Sequence, residues 1–180
     1  MLEKGNHMTT RFKEISLGIV TLSICLFSNY MWAKDLPLQR VLPLELSIQA
    51  AMAAVKKCHD DGFKVSVAIV DQSGLLKVQL KADGAGPHTL DSSRRKAYTA
   101  NSLRDSTHKY AVLVTQKPEL QSLTRLNENI LLLGGGFPIK IAGEVVGGVG
   151  VGGAPGIQYD EVCASAALKV LQADDIFENK

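Results

Sequence analysis

Residues 64–81 read KVSVAIVDQSGLLKVQLK, and this stretch decides the fold class. Val65, Val67 and Ile69 alternate with small or polar neighbours, Asp71-Gln72-Ser73-Gly74 supplies turn chemistry, and Leu76, Val78 and Leu80 alternate again. A period of two on both sides of a short turn marks a β-hairpin with one buried face. A parallel pair needs a crossover of roughly a dozen residues or more, so these strands are antiparallel.

Working outward, residues 43–59 read PLELSIQAAMAAVKKCH, with Leu44, Ile48, Met52 and Val55 at helical spacing and Gly62 as a stop. After the hairpin, Asp83-Gly84-Ala85-Gly86-Pro87 is a loop. Leu90–Arg104 then reads as a helix with Asp91 or Ser92 as N-cap. Pro118–Leu126 suggests a short helix opening on proline. Ile130–Leu133, Phe137–Ile141 and Glu144–Val151 read as strands, with Gly134-Gly135-Gly136 between the first two and a turn at Ala142-Gly143-Glu144. Tyr159–Ala173 is a final helix, expected to bury Val162, Ala166, Leu168 and Val170. The order is α-β-β-α-α-β-β-β-α. Hairpins in place of βαβ units predict an α+β fold, an antiparallel sheet with packed helices.

The N-terminal region, residues 1–33, differs from this pattern. Arg11 and Lys13 precede Ile15–Phe27, a 13-residue run without a charge, and Met31-Trp32-Ala33 ends on a small residue before Lys34. These are the three regions of a secretory signal peptide. The run is shorter than the ~20 apolar residues of a spanning helix. Residues 1–7 precede a second methionine, Met8, and read as a vector scar or an extra start; residues 8–33 read as the signal peptide. The expected mature protein, residues 34–180, is a single domain in the periplasm or outside the cell, with no permanent membrane span.

That mature segment carries 17 Lys+Arg and 16 Asp+Glu. Near-neutrality leaves no basic stripe of the kind nucleic-acid binding requires. Its two cysteines, Cys58 and Cys163, either pair in an oxidising compartment or serve as free core residues. No Cys-x-x-Cys, no paired histidines at zinc spacing and no G-x-S-x-G elbow occur. Gly148-Val149-Gly150-Val151-Gly152-Gly153 satisfies G-x-G-x-x-G, but no strand follows its helix, so dinucleotide binding is not supported. Alternating valine and glycine instead mark a strand approached closely by another backbone or a flat ligand.

Two features suggest a ligand. His88 lies in the loop before the second helix, where an imidazole can ligate a metal or haem iron. Arg94-Arg95-Lys96 place three cations in the predicted first turn, where they oppose the macrodipole and would suit an anion; a solvated face is the plainer reading of the triplet taken alone, and a salt-bridge surface between subunits is another.

The motifs Val67–Gly74, Asp83-Gly84-Ala85, Arg95–Ala100, Gly134–Ile139, Gly147–Gly153 and Asp160-Glu161, in that order, resemble the HbpS/GlcG-type haem-binding family from about Leu44 to Leu171. The resemblance implies a profilin-like or roadblock-like sandwich assembling into dimers or larger rings. It also implies haem binding and, in some members, slow peroxide-linked haem degradation with iron release. It carries no shared ligand motif, so the site is read from the residues. His88 is the first axial donor, Tyr98 the next, with His59 or His108 behind. Arg94, Arg95 and Lys96 are candidates for the propionates, Thr89 and Thr99 for the pocket wall, and Lys81 and Asp83 flank the same loop. The other readings are a binder or enzyme of a small carboxylic acid and a non-catalytic oligomeric accessory protein.

Overall fold

The structure, a computed structural model, describes residues 37–174; the expected signal peptide lies outside them. Among the described residues, those from Arg40 onward form one compact unit. Its elements are α1 (Leu44–Asp60), β1 (Ser66–Asp71), β2 (Leu76–Lys81), α2 (His88–Leu103), α3 (Thr107–Gln116), a 3-10 helix (Pro118–Arg125), β3 (Gly136–Ile141), β4 (Glu144–Gly152) and α4 (Ile157–Val170). The sheet runs β2-β1-β4-β3 with every pair antiparallel. The α+β architecture expected from the hairpins is the one observed.

The sheet is sandwiched. One face, through Val67, Ile69, Phe137, Ile139, Val149 and Val151, packs on α1 and α4. The other, through Ala68 and Val70, packs on α2 at Ala97. The valine–glycine alternation of β4 follows from this division. Its valines enter the core while Gly148, Gly150 and Gly152 lie under α2, where a Cβ at Gly150 would stand 2.5 Å from the amide nitrogen of Ala97. The close partner is therefore the backbone of α2, which leaves no slot for a flat ligand on this stretch.

Four expectations are corrected. The helix α1 buries Ser47, Ala50, Ala51, Ala54 and Cys58, and leaves Leu44, Ile48 and Met52 exposed. Likewise α4 buries Cys163, Ala164, Ala167 and Leu168, while Val162 is exposed. Small side chains on the facing stripes let the two helices approach closely, while Leu44, Ile48, Met52 and Val162 face outward. Second, α2 begins at His88, two residues before the expected start, with Pro87 as N-cap. Asp91 then occupies the first turn, where an acid suits the dipole, and Arg94–Lys96 fall in the second. Third, residues 107–116, for which the pattern gave no element, form α3; the Ser106 hydroxyl caps it by accepting from the N–H of Lys109. Fourth, Ile130–Leu133 is not a strand, and the short helix after Pro118 is of the 3-10 type. The polar groups of the 129–131 segment are taken by α2 side chains: Thr99 Oγ1 accepts from Leu131 N at 2.8 Å, and Arg95 donates to Ile130 O at 2.8 Å.

Cys58 of α1 and Cys163 of α4 are joined in a disulfide, at a Cα separation of 5.5 Å. The bond closes a loop spanning 105 positions. The chain-entropy account gives about 4.7 kcal/mol for a loop of this length, and disulfides typically contribute about 2–4 kcal/mol. Cys58→Ala/Cys163→Ala is therefore expected to lower the unfolding free energy by roughly that amount in urea titration. Equal midpoints for the two proteins would show that the helix pair holds without its cross-link.

Candidate functional site

The residues first considered for ligand binding lie along α2, and the structure separates them. His88 opens the helix and is exposed. Thr89 is buried; its hydroxyl donates to Gly86 O at 2.6 Å and shares a hydrogen bond with Ser66 Oγ at 2.7 Å, so it holds the loop to β1. Arg94 donates to Asn129 Oδ1 at 2.7 Å and pairs with Asp91 at 3.1 Å. Arg95 reaches Ile130 O, and both arginines keep about a third of their side-chain surface exposed. They clamp the 129–131 segment onto α2. Tyr98 is half-buried, its ring packed over Gly74.

Lys96 parts company with its neighbours. It is 1% exposed; its ammonium lies 2.8 Å from Asp160 Oδ2 and donates to Val151 O at 2.9 Å. Asp160 Oδ1 accepts from the N–H of Ala154 at 3.1 Å. Burial pushes the Asp160 carboxyl up from its ordinary range, against the lowering pull of Lys96 and of the Ala154 N–H. Committed in this way, the ammonium is not offered to a ligand at the surface. His59 is exposed at the end of α1 beside Asp60, and Lys81 and Asp83 are exposed at the end of β2 and in the following loop.

A second histidine stands in a different setting. Among the described residues, an open groove of about 460 Å³ is lined by α3, through His108, Lys109, Tyr110, Val112, Leu113 and Gln116, and by Asp105 just before it. That volume falls in the range of small-molecule sites, roughly 300–1,000 Å³. The exposed surface of the groove is predominantly apolar. Imidazole Nδ1 of His108 is closed off from solvent and faces Glu161 Oε1 of α4 at 3.3 Å. The side chain as a whole is 42% exposed, which leaves Nε2 on its open side. A histidine whose inner nitrogen meets a carboxylate and whose outer nitrogen is free is oriented as metal-ligating histidines are.

Each member of this pair is anchored through the adjacent residue. Thr107 Oγ1 donates to Leu133 O at 2.7 Å and accepts from Gly136 N at 3.0 Å, tying the start of α3 to the glycine turn. Asp160 ties the start of α4 to Lys96. Gly135 between them has φ +108 and no room for a side chain: a Cβ there would lie 2.7 Å from Asp160 Cβ and 3.0 Å from Lys96 Nζ. Periodicity could not place His108, since its helix is rich in β-branched residues; Ser106 as a cap was the signal available.

Residues 42–169 match the family described as haem degrading protein HbpS-like. The chain belongs to this HbpS-like family. The resemblance carried by the glycine-rich motifs is thus membership, and it spans both α2 and the His108 groove. Among solved structures, a double mutant of Streptomyces reticuli HbpS shares 41% identity at a TM-score of 0.72, covering 78% of this chain and 93% of that one. A PduOC:heme complex shares 25% identity at a TM-score of 0.69, covering 75% of this chain and 98% of that one. An uncharacterised 15.0 kDa protein of Citrobacter freundii is 32% identical over 71% of this chain and 89% of its own length. Among the described residues no cluster of three metal-ligating side chains occurs, and no helix is long and apolar enough to cross a membrane.

Proposed function

We propose that this HbpS-like protein binds haem outside the cytoplasm, in the groove on α3, with His108 as the donor to iron. The observation that carries the proposal is the setting of His108: Nδ1 is buried against Glu161, and the half-exposed ring lines the same groove as the apolar residues Val112 and Leu113. Haem supplies a redox-active iron when bound. The chain's own contribution is the nitrogen donor, the apolar wall, and Lys109, an exposed lining residue paired with Asp105, whose ammonium suits a propionate. The family description and the PduOC:heme relative support the ligand class.

A second reading keeps His88 as donor. It is favoured by the exposed position of that ring at the head of α2, with Arg95 two turns along the same helix. The two readings part in a haem titration followed by absorption and size-exclusion chromatography. The expected result is a sharp Soret band saturating near one haem per subunit or per dimer, retained in His88→Ala and lost or strongly shifted in His108→Ala. Retention in His108→Ala with loss in His88→Ala would move the site to α2. A featureless, non-saturating titration of the unaltered protein would discard haem in favour of a small carboxylic acid or an accessory role.

Export by a signal peptide at residues 8–33 belongs to the same proposal. Its structural support is the Cys58–Cys163 disulfide, since such bonds persist in oxidising compartments such as the periplasm. We further propose that the protein works as a homo-oligomer. The row Leu44, Ile48 and Met52 on α1, at 55%, 38% and 52% exposure, is an apolar stripe that a second copy would cover.

A further inference from the structure

Glu161 has no part in the core, yet its surroundings are built to present it to His108. The carboxylate is 22% exposed and lies 3.3 Å from Nδ1, which is buried and has no other polar partner. Gly134 lies beside the pair: a Cβ there would stand 3.0 Å from Glu161 Oε1 and 3.2 Å from His108 Nδ1. A side chain at 134 would therefore press on the contact. The residues preceding the two partners, Thr107 and Asp160, are both buried and hydrogen-bonded. An isolated surface ion pair has no such support and is worth little.

We infer that Glu161 is a positioning residue for the groove: it holds the His108 imidazole in the tautomer with the proton on Nδ1, and its charge makes Nε2 a stronger electron-pair donor. This rests on the reading of His108 as the iron donor. The physical basis is general. A neutral imidazole carries one proton, and a carboxylate at one nitrogen keeps the proton there and leaves the lone pair at the other. Without the carboxylate the ring is free to turn and to place its proton on Nε2, where it blocks ligation.

The test compares Glu161→Gln and Glu161→Leu with the unaltered protein. The first keeps an acceptor and removes the charge; the second removes both at similar volume. In haem-free protein at neutral pH, ¹⁵N NMR of His108 is expected to show the Nδ1–H form in the unaltered protein and in Glu161→Gln, and to lose it in Glu161→Leu. Ferric haem affinity is expected to fall roughly 10-fold or more in Glu161→Leu, with Glu161→Gln between the two. Thermal melts control for folding. An unchanged tautomer and unchanged affinity in Glu161→Leu would overturn the inference and leave Glu161 as a surface partner. If haem does not bind the unaltered protein at all, the iron reading fails instead, and the tautomer measurement still decides whether Glu161 orients His108.

Discussion

Gly150→Ala is expected to abolish accumulation of folded protein, at a cost of at least about 3 kcal/mol, since overpacking a rigid site typically costs 1–3 kcal/mol and sometimes more. The added methyl would overlap the carbonyl oxygen of Ser93 and approach Ala97 N to 2.5 Å. Both are backbone atoms within α2, so no rotamer change relieves the clash. Moving the helix away is also costly. Its backbone is seated on Gly148 by the same close approach and its Ser92 side chain on Gly152, and Arg94, Arg95 and Thr99 bind the 129–131 segment to its outer side. Gly143→Ala is the control: its Cβ would touch nothing within 4 Å, and its φ of +79 makes the expected cost about 1 kcal/mol. Soluble yield and urea midpoints separate the two. A Gly150→Ala protein with an unchanged midpoint would mean that α2 does not rest on β4.

The contrast between β4 and the helices shows which features a sequence exposes. Val149-Gly150-Val151-Gly152 announces its geometry, because a glycine at every second position of a strand has few explanations other than close approach. The turn at Asp71–Gly74 is as plain: the Asp71 carboxylate accepts from the N–H groups of Ser73 and Leu75, as turn aspartates do. The buried face of α1 was less legible because the helix carries two rows, one large and apolar, one small. Hydropathy favours Leu44, Ile48 and Met52; the closeness of α4 and the disulfide select Ala50, Ala51, Ala54 and Cys58. The site was harder still. His108 gains significance only from Glu161, and Lys96 only from Asp160, 64 positions away. In the sequence Lys96 is one of three adjacent cations, and nothing local says that it alone turns inward.

That inward turn predicts the second large effect. Lys96→Met is expected to cost about 3–5 kcal/mol, the usual penalty for removing one partner of a buried ion pair. Methionine fills much of the lysine stem, so the loss reports the abandoned Asp160 carboxylate more than a cavity. Lys96→Met/Asp160→Asn should recover most of it, because the amide keeps an acceptor for the Ala154 N–H and carries no charge. The pH dependence gives an independent check. Burial already holds the Asp160 carboxyl above the ordinary value of 3.8, and without Lys96 nothing opposes it but one backbone N–H. A carboxyl whose pKa is higher folded than unfolded binds its proton more tightly in the folded state. Its destabilising effect is therefore full above the folded pKa and fades as the pH falls through that value towards 3.8. The deficit of Lys96→Met relative to the unaltered protein should narrow on acidification, and the double variant should show no such narrowing. A deficit constant with pH would assign the loss to packing around the lysine stem. A small deficit at neutral pH would mean that Asp160 finds another partner, and that the pair does not anchor the turn from which Glu161 reaches His108.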